Sequence, residues 1–132
     1  MPKAAIICVD DESVVLDSLE IELQKAFQDA YLYEFAQSAD EALEIIDELR
    51  EDDVDMLVIV SDWLMPGMKG DQFLIAVHNK YPDIITIMLT GQADLEAIER
   101  AKTQAKLHAL LHKPWDNKEL IAAIESGLAK LL

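Results

Sequence analysis

Met56-Leu57-Val58-Ile59-Val60-Ser61-Asp62-Trp63-Leu64-Met65-Pro66-Gly67-Met68-Lys69-Gly70 occupies the middle of the chain. Met56 to Ser61 is a continuous apolar run. A strand with one face in water alternates apolar and polar residues, so a run without alternation predicts a central strand buried on both faces. Asp62 ends the run. Pro66 and Gly67 break the chain, and Gly70 and Asp71 introduce a helix carrying Phe73, Leu74 and Val77. Strand, short turn and amphipathic helix make one unit of a parallel sheet covered by helices.

The same unit recurs on both sides. Upstream, Ala4 to Val9 is a first strand, and Val15, Leu16, Leu19, Leu23 and Phe27 recur at helical spacing from about Ser13. Tyr31 to Ala36 is a shorter second strand. Ser38-Ala39-Asp40-Glu41 then has a capping-box pattern and opens a helix with Ala39, Leu43, Ile46 and Leu49 on its apolar face. Downstream of Pro82, the β-branched stretch Ile84 to Leu89 predicts a fourth strand. Ala93 to about Gln104 is a more polar helix with a thin apolar face of Leu95, Ile98 and Ala101. Leu107 to Leu111 is a fifth strand. Asp116 to Glu119 forms another capping-box pattern before a helix with Leu120, Ile124, Leu128 and Leu131. Right-handed crossovers place such helices on both faces of one parallel sheet. For five units the flavodoxin-like strand order 2-1-3-4-5 is the common solution.

Composition narrows the function classes. The 132 residues fit one domain, and 52% hydrophobic content supplies a core. No apolar run reaches the roughly 18 residues of a membrane span, and the start of the chain lacks signal-peptide character. The lone cysteine, Cys8, lies within the first strand and is expected to be a buried core residue; with no internal disulfide, the expected location is cytoplasmic. A net charge of -15 repels nucleic acid and anionic membranes, so neither is an expected direct partner.

In sheets of this order, ligands bind beyond the carboxyl ends of the strands, where the order reverses. The first strand ends in Asp10-Asp11-Glu12, the third in Asp62, the fourth in Thr90 and the fifth in Lys113. Each residue alone has an ordinary explanation. Asp10 to Glu12 could simply begin a helix, Asp62 could belong to a turn, Thr90-Gly91 could close a strand, and Lys113 could be a surface lysine before a proline. Their convergence on one rim is the stronger signal. Two carboxylates about 4 Å apart repel by roughly 4 kcal/mol at an effective dielectric of 20. A divalent cation offsets that repulsion, and hard oxygen ligands suit Mg²⁺, with Mn²⁺ as the alternative. With Lys113 as a fixed cation and Thr90 as a hydroxyl donor, the set suits phosphoryl transfer to Asp62 as nucleophile. His78, His108 and His112 lack metal-ligand spacing, and Met65 and Met68 are expected to pack the loop.

At these residues the chain resembles the bacterial response-regulator receiver domain, typified by the chemotaxis receiver. The marks are Val9-Asp10-Asp11-Glu12, Asp62 to Gly70, Leu89-Thr90-Gly91 and Lys113-Pro114-Trp115, and the likeness spans residues 1–132. It implies a phosphorelay module that is not itself an enzyme but assists phosphorylation and dephosphorylation of its own Asp62. Asp11 would bind Mg²⁺ directly and Asp10 through water, with Asp62 and the Leu64 backbone carbonyl as further ligands. Thr90 and Lys113 would engage the phosphoryl group, and Lys113-Pro114 would be a cis bond. The implied donor is a histidine kinase or histidine phosphotransfer protein. The implied output face is the fourth helix, fifth strand and fifth helix, which could pair two copies or meet an effector. The chain departs from the family at Leu110, where a switching aromatic often stands, so Thr90 and Leu110 would form the switch. No output domain is expected within these residues, although the Thr90 and Lys113 tags resemble receivers fused to kinase, phosphatase or cyclic-nucleotide-handling outputs. An aspartyl phosphatase of the haloacid dehalogenase type is the competing enzyme reading. It needs a second Asp two residues after the nucleophile, where this chain has Leu64. A pure interaction module would lack part of the site, and a nucleotide-binding protein would need a Gly-rich loop after the first strand.

Overall fold

The apolar run at the centre of the chain forms β3 (Asp55–Asp62), with its last five residues buried. In this computed structural model, which describes residues 3–91 and 95–131, β1 (Ala4–Val9) and β4 (Ile85–Thr90) flank it in parallel. β2 (Leu32–Ala36) and β5 (Ala109–His112) form the edges, giving the expected order β2-β1-β3-β4-β5. Alternation within each buried strand sends side chains to two cores. Ile6, Cys8, Val58, Val60, Ile87 and Leu89 pack with α1 (Ser13–Phe27) and α5 (Asn117–Ala129). Ile7, Val9, Ile59 and Met88 pack with α2 (Ala39–Glu51), α3 (Gly70–Lys80) and α4 (Leu95–Gln104). Cys8 is fully buried, as its strand position required.

Local chemistry explains several element boundaries. Ser38 Oγ caps α2 by accepting from Glu41 N at 3.1 Å, while the Glu41 carboxylate accepts from Gln37 N at 3.1 Å, one residue earlier than the box pattern implies. Asp116 caps α5 by accepting from Lys118 N at 2.9 Å. A short 3₁₀ turn, Gln28–Ala30, precedes β2 and moves that strand's start to Leu32. β5 begins two residues later than its apolar run, because Leu107 N is held by Ala101 O at 3.2 Å at the end of α4.

The largest departure concerns α4. Leu95, expected on its apolar face, is 80% exposed; Ala97 and Ala101 are the buried residues, and Ile98 packs partly. Two small residues four apart define the inward stripe, and Leu95 lies two residues from it, on the far side of the helix. The expected helix start at Ala93 lies outside the described residues.

Candidate functional site

Backbone hydrogen bonds hold the strand ends level. Asp10 N donates to Ala36 O at 3.0 Å, Trp63 N to Leu89 O at 2.9 Å and Lys113 N to Thr90 O at 2.8 Å. The parallel ladder therefore delivers Asp10, Asp62, Thr90 and Lys113 to one rim, as the strand order predicts. Asp11, Asp62, Leu64, Gly91 and Lys113 line an open cleft there. The Lys113-Pro114 bond is cis. Leu110 packs partly buried on the α4 side of the sheet, opposite to Leu111.

The turn after β3 depends on two glycines. Gly67 has φ 80°, a left-handed conformation that a side chain would strain. Gly70 N donates to Trp63 O at 2.7 Å. A Cβ on Gly70 would overlap the Asp62 carbonyl oxygen and lie 2.7 Å from Trp63 Cα. The first turn of α3 thus rests directly on the backbone of Asp62. Met65 is buried and Met68 packs partly buried against the same core, as expected of loop packing.

Asp10, Asp11 and Asp62 each offer a carboxylate oxygen, all within 4.8 Å of one another. Their environments differ. Asp10 is fully buried, with Oδ1 accepting from Glu12 N at 2.8 Å and Oδ2 from Lys113 Nζ at 2.8 Å. Asp11 is exposed at the mouth. Asp62 is buried and accepts Lys113 Nζ at 3.2 Å through Oδ1. Thr90 is buried at the end of β4.

Burial and the negative charge of Asp10 raise the Asp62 carboxyl above its ordinary range, with Asp11 adding to the rise, while Lys113 pulls it back. Burial lowers the Lys113 ammonium, but Asp10 and Asp62 more than offset this and hold it above its ordinary value. The Lys113 ammonium thus contacts two carboxylates of a group of three. The residual negative charge and the all-oxygen donor set fit a hard divalent cation. Among the described residues, none of the three histidines joins this group; His108 Nε2 instead pairs with Ser126 Oγ at 2.8 Å.

Two features of the site's support were not anticipated. Asp71, read as a residue that introduces α3, is buried with Oδ2 3.2 Å from Arg100 Nε on α4. Its spacing from Leu74 and Ile75 puts it on the inward stripe, which was the available signal. Trp115 Nε1 donates to Glu22 Oε2 at 3.1 Å and ties the loop after β5 to α1.

Residues 6–125 match the family model described as the response regulator receiver domain. The hydrogenase transcriptional regulatory protein HoxA of Cupriavidus necator is 31% identical over 126 residues, which are 96% of this chain and 24% of that protein. The heme response regulator HssR of Staphylococcus aureus is 34% identical over 124 residues, 94% of this chain and 51% of that protein. The chain thus spans no more than about half the length of these two curated relatives. The crystal structure of the signal receiver domain of an HD domain-containing protein from Pseudomonas fluorescens Pf-5 superimposes with a TM-score of 0.87 at 30% identity, covering 97% of this chain and 96% of that one. Sequence and fold agree: the chain belongs to the response regulator receiver domain family, the phosphorelay modules of two-component signalling.

Proposed function

We propose that Asp62 is the phosphoacceptor of this receiver, served by Asp10, Asp11, Thr90 and Lys113. The observation that carries the proposal is the meeting of Asp62 with two further carboxylates and with Lys113 Nζ at 3.2 Å, on the rim where such sheets bind ligands. In the transfer, an Asp62 carboxylate oxygen bonds to phosphorus as the phosphorus–nitrogen bond of a donor phosphohistidine breaks. The electron pair leaves with the imidazole, which departs neutral when its other nitrogen is protonated. Lys113 offsets negative charge on the phosphoryl oxygens, and the Thr90 hydroxyl donates to one of them.

Mg²⁺, or Mn²⁺, would be held by Asp11, Asp62, the Leu64 backbone carbonyl and, through water, Asp10, and it would withdraw charge from the phosphoryl group. Both Asp10 oxygens already accept hydrogen bonds, whereas Asp11 is exposed; this favours Asp11 as the direct ligand. The donor is a histidine kinase or histidine phosphotransfer protein. Residues 1–132 act as one receiver in the cytoplasm, without a catalytic role beyond their own phosphorylation and dephosphorylation. The output passes through α4, β5 and α5 to an effector, a linked domain or a second copy, with Thr90 and Leu110 as the switching residues. Among the described residues, no helix is long and apolar enough to cross a membrane.

The phosphatase alternative finds no support at the position it requires. Leu64 stands two residues after Asp62 and is 60% exposed. Intact mass after incubation with acetyl phosphate tests the proposal. One added phosphoryl group is expected with Mg²⁺ and none without it; labelling that ignores the metal, or that persists in Asp62→Asn, would overturn it.

A further inference from the structure

Asp71 is a carboxylate at 1% exposure on an otherwise apolar stripe of α3. Its Oδ2 accepts from Arg100 Nε at 3.2 Å, and its Oδ1 has no hydrogen-bond partner among the described residues. Arg100 lies on α4, with its side chain 46% exposed. A buried carboxylate with one charged partner depends strongly on that partner, because removing it leaves the charge without compensation.

α4 is also tied just past its C-terminal end, where Thr86 Oγ1 donates to the Ala105 carbonyl at 3.2 Å. Its buried residues are two alanines, its first described residue points outward, and its principal neighbour is α3. Both routes from α4 lead to the Asp62 rim. Asp71 follows Gly70, whose backbone rests on Asp62 and donates to Trp63 O. In the chain, α4 follows Gly91, which lines the cleft immediately after Thr90.

We propose that the Asp71–Arg100 pair is a catch that holds α4 against α3 in the unphosphorylated protein and sets the free energy that phosphoryl capture must overcome to move α4. This rests on the reading of Asp62 as phosphoacceptor. The geometry suits a catch more than a permanent strut. A shift of α4 by an ångström or two withdraws Nε from the one carboxylate oxygen it serves, so the resistance is steep at first. The pair has a single contact, an unsatisfied second oxygen and a half-exposed arginine. It is therefore far from the fully satisfied network that would lock the interface. A ligand that favours the displaced arrangement can release it.

The test follows the Arg100 Hε resonance by NMR in the wild-type protein. It is expected to be protected from exchange without ligand and to lose that protection with Mg²⁺ and beryllofluoride. Arg100→Ala should bind beryllofluoride about tenfold more tightly than wild type, and its amides from Ala97 to Gln104 should exchange faster without ligand. Asp71→Asn, which keeps the shape and removes the charge, should move both measurements in the same direction by less. Retention of the Arg100 Hε bond in the beryllofluoride state would overturn the catch, as would affinities within about twofold of wild type in both variants. If beryllofluoride fails to bind the wild type, the Asp62 reading falls. The ligand-free exchange then decides the catch separately, because unchanged α4 protection in Arg100→Ala would sink it as well.

Discussion

Replacing Lys113 by alanine removes the one ammonium that faces two buried carboxylates, at 2.8 Å from Asp10 and 3.2 Å from Asp62. At an effective dielectric of about 20, each contact near 3 Å is worth roughly 5 kcal/mol of Coulomb energy. Repulsion between carboxylates within 4.8 Å of each other takes back roughly 3 to 4 kcal/mol for a pair, and desolvation of all three charges takes back more. What remains on deletion is the cost of leaving Asp10 buried with a bare Oδ2. Deleting one partner of a buried pair typically costs about 3–5 kcal/mol. Lys113 is 20% exposed and water can refill its place, so about 2–3 kcal/mol is expected here. The sign of the Mg²⁺ effect is opposite. A divalent ion entering the variant meets three carboxylates and no competing ammonium, so Mg²⁺ should bind at least about threefold more tightly. It should also restore more stability to the variant than to wild type. Urea unfolding at pH 7, with and without saturating Mg²⁺, measures both effects. The alkaline limb gives a further check. The Lys113 ammonium is raised above its ordinary 10.5, so its contribution is fully present below that value and is lost as pH rises through the folded pKa. The variant should lack that limb. A variant with the wild-type urea midpoint without Mg²⁺, and equal Mg²⁺ increments in both proteins, would refute the assignment of these contacts.

Asp62→Asn should abolish labelling by acetyl phosphate. It should also be more stable than wild type at pH 7 without Mg²⁺: the wild-type carboxyl is raised above its ordinary 3.8, so wild-type stability falls as pH rises from there through the folded value. A denaturation series across pH in which both proteins share that falling limb would assign it to another group. Asp11→Ala should weaken Mg²⁺ binding more than Asp10→Ala, measured through Trp63 fluorescence with Trp115 replaced by Phe; equal affinities would reverse the ranking. Gly70→Ala should cost about 2–3 kcal/mol, because the added Cβ meets Asp62 and Trp63 backbone atoms that cannot yield as a flexible side chain would. It should also slow phosphorylation by displacing Asp62, and a wild-type urea midpoint would show that the α3 start can shift freely.

The fold was legible because every central strand carried an unambiguous pattern. Val58, Ile59 and Val60 are apolar on both faces, and only a strand covered by helices on each side satisfies that. The four rim residues were legible for a related reason: each lies within one or two residues of the last apolar residue of its strand, and a parallel ladder keeps such positions level. Element edges were less legible. The Leu107 and Tyr31 boundaries are set by hydrogen bonds and a 3₁₀ turn that hydropathy does not encode. Leu95 shows the limit of counting apolar residues. In a short helix held by Ala97 and Ala101, small residues mark the buried stripe better than a large one does, since they let the backbone approach its neighbour.

Asp71 was obscured by its own chemistry. An acidic residue in the first turn of a helix is ordinarily explained by the helix dipole and solvent, and that explanation suffices until the opposite helix is in place. Arg100 lies 29 positions later, at a separation no local pattern spans. The same asymmetry separates the acceptor from the switch. An acceptor site uses residues fixed by strand ends, so its chemistry can be read one residue at a time. A switch depends on which of two packings is lower in free energy, and that difference resides in pairs such as Asp71 and Arg100, with an alanine-lined interface between them. With Leu110 in place of an aromatic, no ring stands on β5 three residues before Lys113. On the proposed reading, repacking of Leu110 and helix contacts together carry the difference between the two packings, and the buried carboxylate of Asp71 is an α3–α4 group for which loss of its partner is costly.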